Sequence, residues 1–237
     1  LVLTTVLFFS TKIFAKDIEF KYSKDEISNY FSGIVSLNQD FTTAGFKYLD
    51  KVKTLKGHAN YNVQYIRSLV LLKKFDQAFA FSKSIWKKDV YFFEADLLLG
   101  LNYFVNKDYD NAERHFKRLN DISNYNLIFD DFFGNILISW VRASQNNKKE
   151  SFEYFDKIPK RFKNLKLINN SFLQCYFDTP KTLTSYNFLL NNEENSFSRY
   201  NFFLANYFLS KNKIDKAKRL INKSTDLYNS NLLIKQL

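Results

Sequence analysis

The feature that most constrains this chain is a recurrence with a period of 34 residues. Two markers keep this period, an aromatic residue and an alanine that follows it three residues later: Phe41 with Ala44, Phe75 with Ala78, and Tyr109 with Ala112. Around each marker pair, apolar residues recur at the spacings typical of amphipathic helices. A fixed period of this length predicts stacked helix-turn-helix units, because each unit can bury its apolar face only against its neighbours.

The best-preserved unit spans residues 99–119, LGLNYFVNKDYDNAERHFKRL. Five of its residues stand in the order L-G-x2-Y followed by A-x3-F: Leu99, Gly100, Tyr103, Ala112 and Phe116. This order resembles the tetratricopeptide repeat. The resemblance implies an all-α fold, a right-handed α-solenoid that forms one domain over residues 25–237, with about six repeats and a truncated seventh.

The repeats are expected to share one internal arrangement. In each repeat, the alanine lets the second helix cross close to the first, and the aromatic residue fills the turn between them. After the third repeat the period loosens, and we expect an insertion of five residues within 124–130. The pattern returns in the sixth repeat, where Ala205 and Ala217 take the two small positions, and a further first helix is expected to begin at Asp226.

The composition favours helices, and the net charge bears on which partners the protein could bind. Only 2 Pro and 5 Gly occur in 237 residues, which is little turn chemistry for an all-β fold. The net charge of +11 is interpreted as Lys on solvated helix faces, and an anionic partner is the alternative. The single cysteine, Cys175, cannot form an intramolecular disulfide, and its apolar neighbours predict a buried thiol.

The sequence contains no pattern that indicates catalysis or metal binding. His58 and His115 are far apart, and neither has Cys or acidic residues nearby at ligand spacing. The adjacent acidic pairs, such as Glu193 and Glu194, cannot face each other on a helix as an acid and base must. We therefore expect a protein that is not an enzyme and that needs neither a cofactor nor a metal.

The N-terminal residues are typical of an export signal. The apolar, uncharged run of residues 1–9 is followed by polar residues and then by Ala15, a small residue where a signal peptidase could cut. We expect residues 1–15 to be a cleaved signal peptide whose basic n-region is missing from this sequence, and residues 16–24 to be a lead-in. The protein would then be periplasmic or exported, without stable membrane insertion; an uncleaved membrane anchor is the alternative.

The resemblance also implies a binding surface. In tetratricopeptide repeats the first helices line the concave side, and those positions carry over to eight candidate partner-binding residues: Asn29, Asn60, Arg67, Glu94, Phe104, Trp140, Arg199 and Asn206. Asn, Arg and aromatic side chains together suit an extended peptide. Apolar residues at neighbouring concave positions, such as Leu97 and Leu101, can equally belong to the core.

The expected function is that of a non-enzymatic scaffold in the bacterial cell envelope, which binds a protein or peptide on its concave face. The layout is similar to exported tetratricopeptide proteins of alphaproteobacteria. The alternative is a solenoid platform for an envelope enzyme acting on peptidoglycan, with its catalytic part beyond residue 237. Nucleic acid is not an expected partner, because export argues against it.

Overall fold

The computed structural model describes residues 22–123, 132–192 and 197–227. These ranges hold twelve α-helices and no strand, only one isolated bridge between Lys87 and Val90. In chain order the helices are α1 (Lys24–Asn38), α2 (Thr42–Asp50), α3 (Ala59–Leu71), α4 (Phe75–Ile85), α5 (Phe93–Val105), α6 (Tyr109–Ser123), α7 (Phe132–Ser144), α8 (Lys148–Asp156), α9 (Lys163–Tyr176), α10 (Thr182–Leu190), α11 (Asn201–Ser210) and α12 (Ile214–Leu227). The predicted all-α class is confirmed.

Some of the sequence predictions fall outside the described residues. These are the signal peptide at 1–15, most of the lead-in, and the insertion within 124–130. The predicted start of a further first helix at Asp226 is wrong, because Asp226 and Leu227 still belong to α12. Within the described ranges, none of the helices combines the length and the apolar character needed to cross a membrane.

Among the described residues, six turns join a first helix to a second helix, and all six share one backbone feature. One residue in each turn adopts a left-handed conformation, with φ between 46° and 61°: Asp40, Lys73, Lys107, Asn146, Asp178 and Asn212. The next N–H then donates to the carbonyl five residues earlier, as from Phe41 to Ser36 at 2.9 Å and from Lys213 to Phe208 at 2.8 Å. This is the Schellman arrangement, which satisfies the last carbonyls of the first helix. Four of the six residues are Asn or Asp, which enter the left-handed region more readily than most residues.

The two helices of a pair cross at small residues placed symmetrically about this turn. Seven residues before the left-handed residue, the first helix has a buried residue that is small in five of the six pairs: Gly33, Ile66, Gly100, Ser139, Ser171 and Ala205. Five residues after it, five of the six second helices have another: Gly45, Ala78, Ala112, Ser151 and Ala217. In two pairs a hydroxyl spans the crossing, since Ser139 Oγ donates to the Ser151 carbonyl at 2.8 Å and Ser171 Oγ to the Ser185 carbonyl at 3.1 Å.

The first pair departs from the 34-residue alignment by one residue. Its turn residue Asp40 precedes Lys73 by 33 residues, so Gly45 rather than the predicted Ala44 lies at the crossing. A Cβ atom added to Gly45 would lie 2.6 Å from Leu37 Cγ, whereas Ala44 is only half-buried.

The predicted role of the turn aromatics is wrong for two of the three. Phe41 is 63% exposed and Phe75 is 47% exposed, so neither ring fills the turn. Phe41 directly precedes α2 and Phe75 begins α4, and both side chains are largely exposed to solvent there. Tyr109 is half-buried, with its ring centroid 6.0 Å from that of Phe104.

The described residues form two compact units, divided within α4 after Ala78. In the first unit the core includes Leu37, Leu49 and Tyr61. In the second unit, three apolar clusters follow one another along the chain, centred on Phe116, Phe155 and Tyr186. Each of these clusters joins the two helices of a pair to the first helix of the next pair.

Candidate functional site

A cleft of about 570 Å³ opens on the first helices of three successive pairs, α7, α9 and α11. Six aromatic side chains contribute to its walls: Trp140, Phe172, Tyr176, Tyr186, Phe203 and Tyr207. The polar and sulfur-containing side chains of the lining are Cys175, Asp178, Asn206, Ser210 and Lys211. We call this the aromatic cleft.

The helix register explains why these residues share one surface. In each of the three first helices, the residue directly after the buried crossing residue lines the cleft: Trp140, Phe172 and Asn206. Residues three before or four after these positions also line it, as Phe203 and Tyr176 show. Spacings of three and four place side chains on one face of an α-helix. One stripe of each first helix therefore faces the core, and the adjoining stripe forms the cleft.

The aromatic rings pack edge to face and remain partly open to solvent. The rings of Phe172 and Phe203 lie 4.9 Å apart at 76°, and those of Trp140 and Tyr176 lie 5.9 Å apart at 86°. Trp140 Nε1 donates to Asn169 Oδ1 at 3.1 Å, which fixes the indole. Tyr176 is 54% exposed and Phe203 is 38% exposed, so their rings can still bury surface against a ligand.

One end of the aromatic cleft carries a charge pair. Asp178, the left-handed turn residue after α9, accepts hydrogen bonds from Lys211 Nζ and, at 3.1 Å, from Tyr207 Oη. The hydrogen bond from Lys211 is the main reason that the pKa of the Asp178 carboxyl lies below its usual range, with Lys213 adding a weaker attraction. The carboxylate therefore stays ionised and paired at neutral pH.

The cysteine lies in the wall of the aromatic cleft. Cys175 is half-buried rather than fully buried as predicted, because its side of α9 faces the cleft. Burial raises the pKa of its thiol, and Tyr186 provides a hydrogen bond that partly opposes this. The thiol is therefore protonated near neutral pH and is a weak nucleophile.

Of the eight candidate binding residues, the structure brings two into this cleft, Trp140 and Asn206. The Asn206 amide also donates to the Phe202 carbonyl of its own helix at 3.0 Å. In the same unit, Phe104 packs against the apolar cluster centred on Phe116. Burial raises the pKa of the half-buried Glu94, and exposed Arg199 lies over the ring of its neighbour Tyr200 at 5.1 Å.

The other three candidates belong to the first unit. Asn29 is half-buried and donates to the Asp25 carbonyl of its own helix at 2.8 Å. Asn60 lines a cavity of about 340 Å³ together with side chains of α1 such as Tyr30. Arg67 is exposed on α3, although it occupies the same place after the crossing residue as Trp140 and Asn206 do.

Several cleft residues were missed by the sequence prediction, notably Phe172, Tyr176, Phe203 and Lys211. The turn residues Lys107, Asn146 and Asp178 are 39 and 32 residues apart rather than 34, so positions could not be carried into the fifth pair by the period. A usable signal was present in Ser171, the small crossing residue that marks Phe172 as its lining neighbour.

The sequence prediction also missed a buried polar cluster between α5 and α6, which includes Asp96. Asp96 is fully buried, and its Oδ1 accepts from Trp86 Nε1, His115 Nδ1 and Arg118 Nε at 2.8, 2.8 and 2.9 Å. Arg118 also donates to three carbonyls of the segment between α4 and α5, those of residues 87, 88 and 90. His115 is thus a buried structural histidine, and no group of metal-ligating side chains occurs among the described residues.

No protein-family model matches the chain, and no curated protein shows significant similarity to it. The resemblance to tetratricopeptide repeats therefore rests on the motif residues given above.

Proposed function

We propose that the protein is a non-enzymatic scaffold that binds an extended peptide segment of a partner protein in the aromatic cleft. The observation that supports this most is that three successive first helices contribute to one aromatic surface. A row of first helices along one side is what a right-handed tetratricopeptide-like solenoid would present to a ligand, and we propose that architecture for the chain.

The chemistry of the aromatic cleft suits binding. Exposed Tyr and Trp rings bury large areas at little entropic cost, and such residues often dominate interface energetics. Asn206 and Ser210 add polar atoms that can meet the amides of an extended backbone. The protonated thiol of Cys175 and the paired carboxylate of Asp178 suit a supporting role in this surface.

We also propose that the scaffold works in the bacterial cell envelope, as a periplasmic or exported protein. The support for this is the sequence of residues 1–15, whose apolar run and small residue at position 15 fit a cleaved signal. An envelope location makes a protein or peptide the natural partner and makes nucleic acid an improbable one.

The proposal is tested by selecting peptides from a displayed library on the 237-residue chain and titrating them against variants. Trp140→Ala and Phe203→Ala should each weaken binding by about 1–2 kcal/mol or more, the scale of an interface hot spot. Phe188→Ala is the matched control, since Phe188 is 68% exposed on the second helix α10 and does not line the cleft. Melting curves exclude variants that unfold.

Two outcomes would contradict the proposal. Selected peptides could bind the two cleft variants as tightly as the parent chain. Alternatively, Phe188→Ala alone could abolish binding, which would place the binding surface on the second helices.

A further inference from the structure

We propose, building on the function above, that the aromatic cleft selects a segment with an uncharged aromatic side chain flanked closely by a carboxylate. The aromatic ring would enter the cleft, and the carboxylate would lie at the end occupied by Lys211 and Lys213. The partner is thus an acidic, aromatic-containing peptide.

The aromatic part follows from the walls. The cleft volume of about 570 Å³ is in the range of sites that enclose small ligands, so an aromatic side chain and its adjoining backbone can be accommodated. The wall rings already meet edge to face, as Phe172 and Phe203 do, and they leave the exposed rings of Tyr176 and Phe203 for a further ring. Aromatic rings prefer such edge-to-face contacts with one another.

A cationic anchor is disfavoured even though aromatic faces attract cations. The carboxylate that lines the cleft, Asp178, is already paired with Lys211 and accepts a hydrogen bond from Tyr207. A Lys or Arg side chain of a ligand would lose its hydration and would have to displace Lys211 to gain a counter-charge. An uncharged ring has neither cost.

The acidic flank follows from the balance of charge at this end of the cleft. Two cations, Lys211 and Lys213, act on Asp178, and no second acidic side chain is among the described lining residues. The charged groups that act on one another at Asp178 are thus two lysines and one carboxylate, on a chain whose net charge is +11. Electrostatic complementarity then favours a negative group beside the anchor and disfavours a positive one.

Cys175 provides a direct reporter of occupancy. It is the only cysteine of the chain and lies in the cleft wall, so a bound ligand should slow its reaction with an aromatic disulfide reagent. The probes are pentapeptides with blocked ends. Two adjacent residues are Phe-Glu, Phe-Gln, Phe-Lys or Ala-Glu, and the other three residues are Gly. Each pair of residues is made in both orders, and the order that protects Cys175 better is used. The quantity compared between probes is the peptide concentration that halves the labelling rate of Cys175.

Phe-Glu should protect Cys175 at the lowest concentration. Phe-Gln should need a concentration about two to five times higher, the scale of one exposed ion pair, and Phe-Lys a higher one still. Ala-Glu should need about ten times more or fail to protect, because the anchor is missing. Raising the salt concentration should reduce the difference between the concentrations of Phe-Glu and Phe-Lys that halve the labelling rate, because salt screens exposed charges.

Reversing the charge of Lys213 tests whether the lysines at this end of the cleft favour the acidic flank. Lys213→Glu should cancel or invert the preference for Phe-Glu over Phe-Lys. Lys149→Glu makes the same change of charge at a residue of α8 whose side chain is 87% exposed and does not line the cleft, and it should leave the preference intact. If both variants shift the preference equally, the total charge of the chain rather than the charge at this end of the cleft sets the preference, and the acidic part of the proposal is wrong.

The outcomes separate this inference from the proposed function. Equal protection by Phe-Glu and Phe-Lys overturns the acidic flank, and equal protection by Ala-Glu overturns the aromatic anchor, while peptide binding itself stands. If none of the probes protects Cys175 but library-selected peptides still bind, the inference fails and the function survives. If no peptide from the library binds the chain in titration either, the proposed function is wrong as well.

Discussion

Asp96 shows how one residue can join two helices and a connecting segment. Its carboxylate receives three hydrogen bonds at Oδ1, while Oδ2 is buried and has no hydrogen-bond partner among the described residues. Arg118, which is paired with it, turns its remaining donors to the carbonyls between α4 and α5. A carboxylate is needed here because three donors converge on one point, and burial without it would leave a guanidinium uncompensated.

The first prediction at this scale concerns Asp96→Ala. Removing the carboxylate leaves the Arg118 Nε–H and the ring N–H groups of Trp86 and His115 without their acceptor and removes the counter-charge of the Arg118 guanidinium, so the free energy of unfolding should fall by about 3–5 kcal/mol. Urea denaturation followed by circular dichroism measures this. Asp121→Ala, at an exposed position of α6, is the control and should stay within about 0.5 kcal/mol of the parent. A loss for Asp96→Ala as small as that of the control would show that the cluster is not structural.

At the scale of elements, each described helix pair has a left-handed turn, and most of the pairs have two small crossing residues. The turn leaves the first helix through a Schellman arrangement, and the crossing brings the backbones together. In the first pair the fit is close at both crossing residues, since a Cβ atom on Gly33 would lie 2.7 Å from Leu49 Cγ and one on Gly45 would lie 3.1 Å from the Gly33 carbonyl. Glycine is needed at both positions because the facing leucine and backbone already fill the space.

Gly45→Ala tests this crossing. The added methyl group should force Leu37 and the helix backbones apart and destabilise the fold by about 1–3 kcal/mol, despite the better intrinsic helix propensity of alanine. Gly57→Ala is the matched control, because a Cβ atom there meets nothing within 4 Å. Thermal melts of both variants are compared with the parent. Equal melting temperatures for the two variants would contradict a tight crossing at Gly45.

The sequence predicts much of this element pattern, because spacing and small residues are local features. It cannot decide between Ala44 and Gly45, which are adjacent and both small; the left-handed turn at Asp40 decides in favour of Gly45. Of the eight predicted binding residues, the cleft contains only Trp140, which lies in the fourth pair, and Asn206, which lies in the sixth. Phe172 and Tyr176 lie in the fifth pair, whose turn residue Asp178 follows Asn146 by 32 rather than 34 residues, so the period does not align them.

At the scale of the whole molecule, the described residues are mostly helical, contain no strand, and form two compact units. The 34-residue recurrence predicts the helix order because each pair is a local structure. The hydrogen bonds of Asp96 and the pairing of Asp178 with Lys211 depend on residues 10 to 33 positions apart, which no spacing rule connects. For this reason the helices could be read from the sequence, whereas most of the cleft could not.

The central claim is that the first helices of the second unit carry the binding surface. Amide hydrogen exchange, measured with and without a saturating library-selected peptide, tests it most directly because exchange reports on each helix separately. The account predicts slower exchange in α7, α9 and α11 around the aromatic cleft, with little change in α8, α10 and α12. Protection concentrated in the second helices, or confined to the first unit, would contradict it.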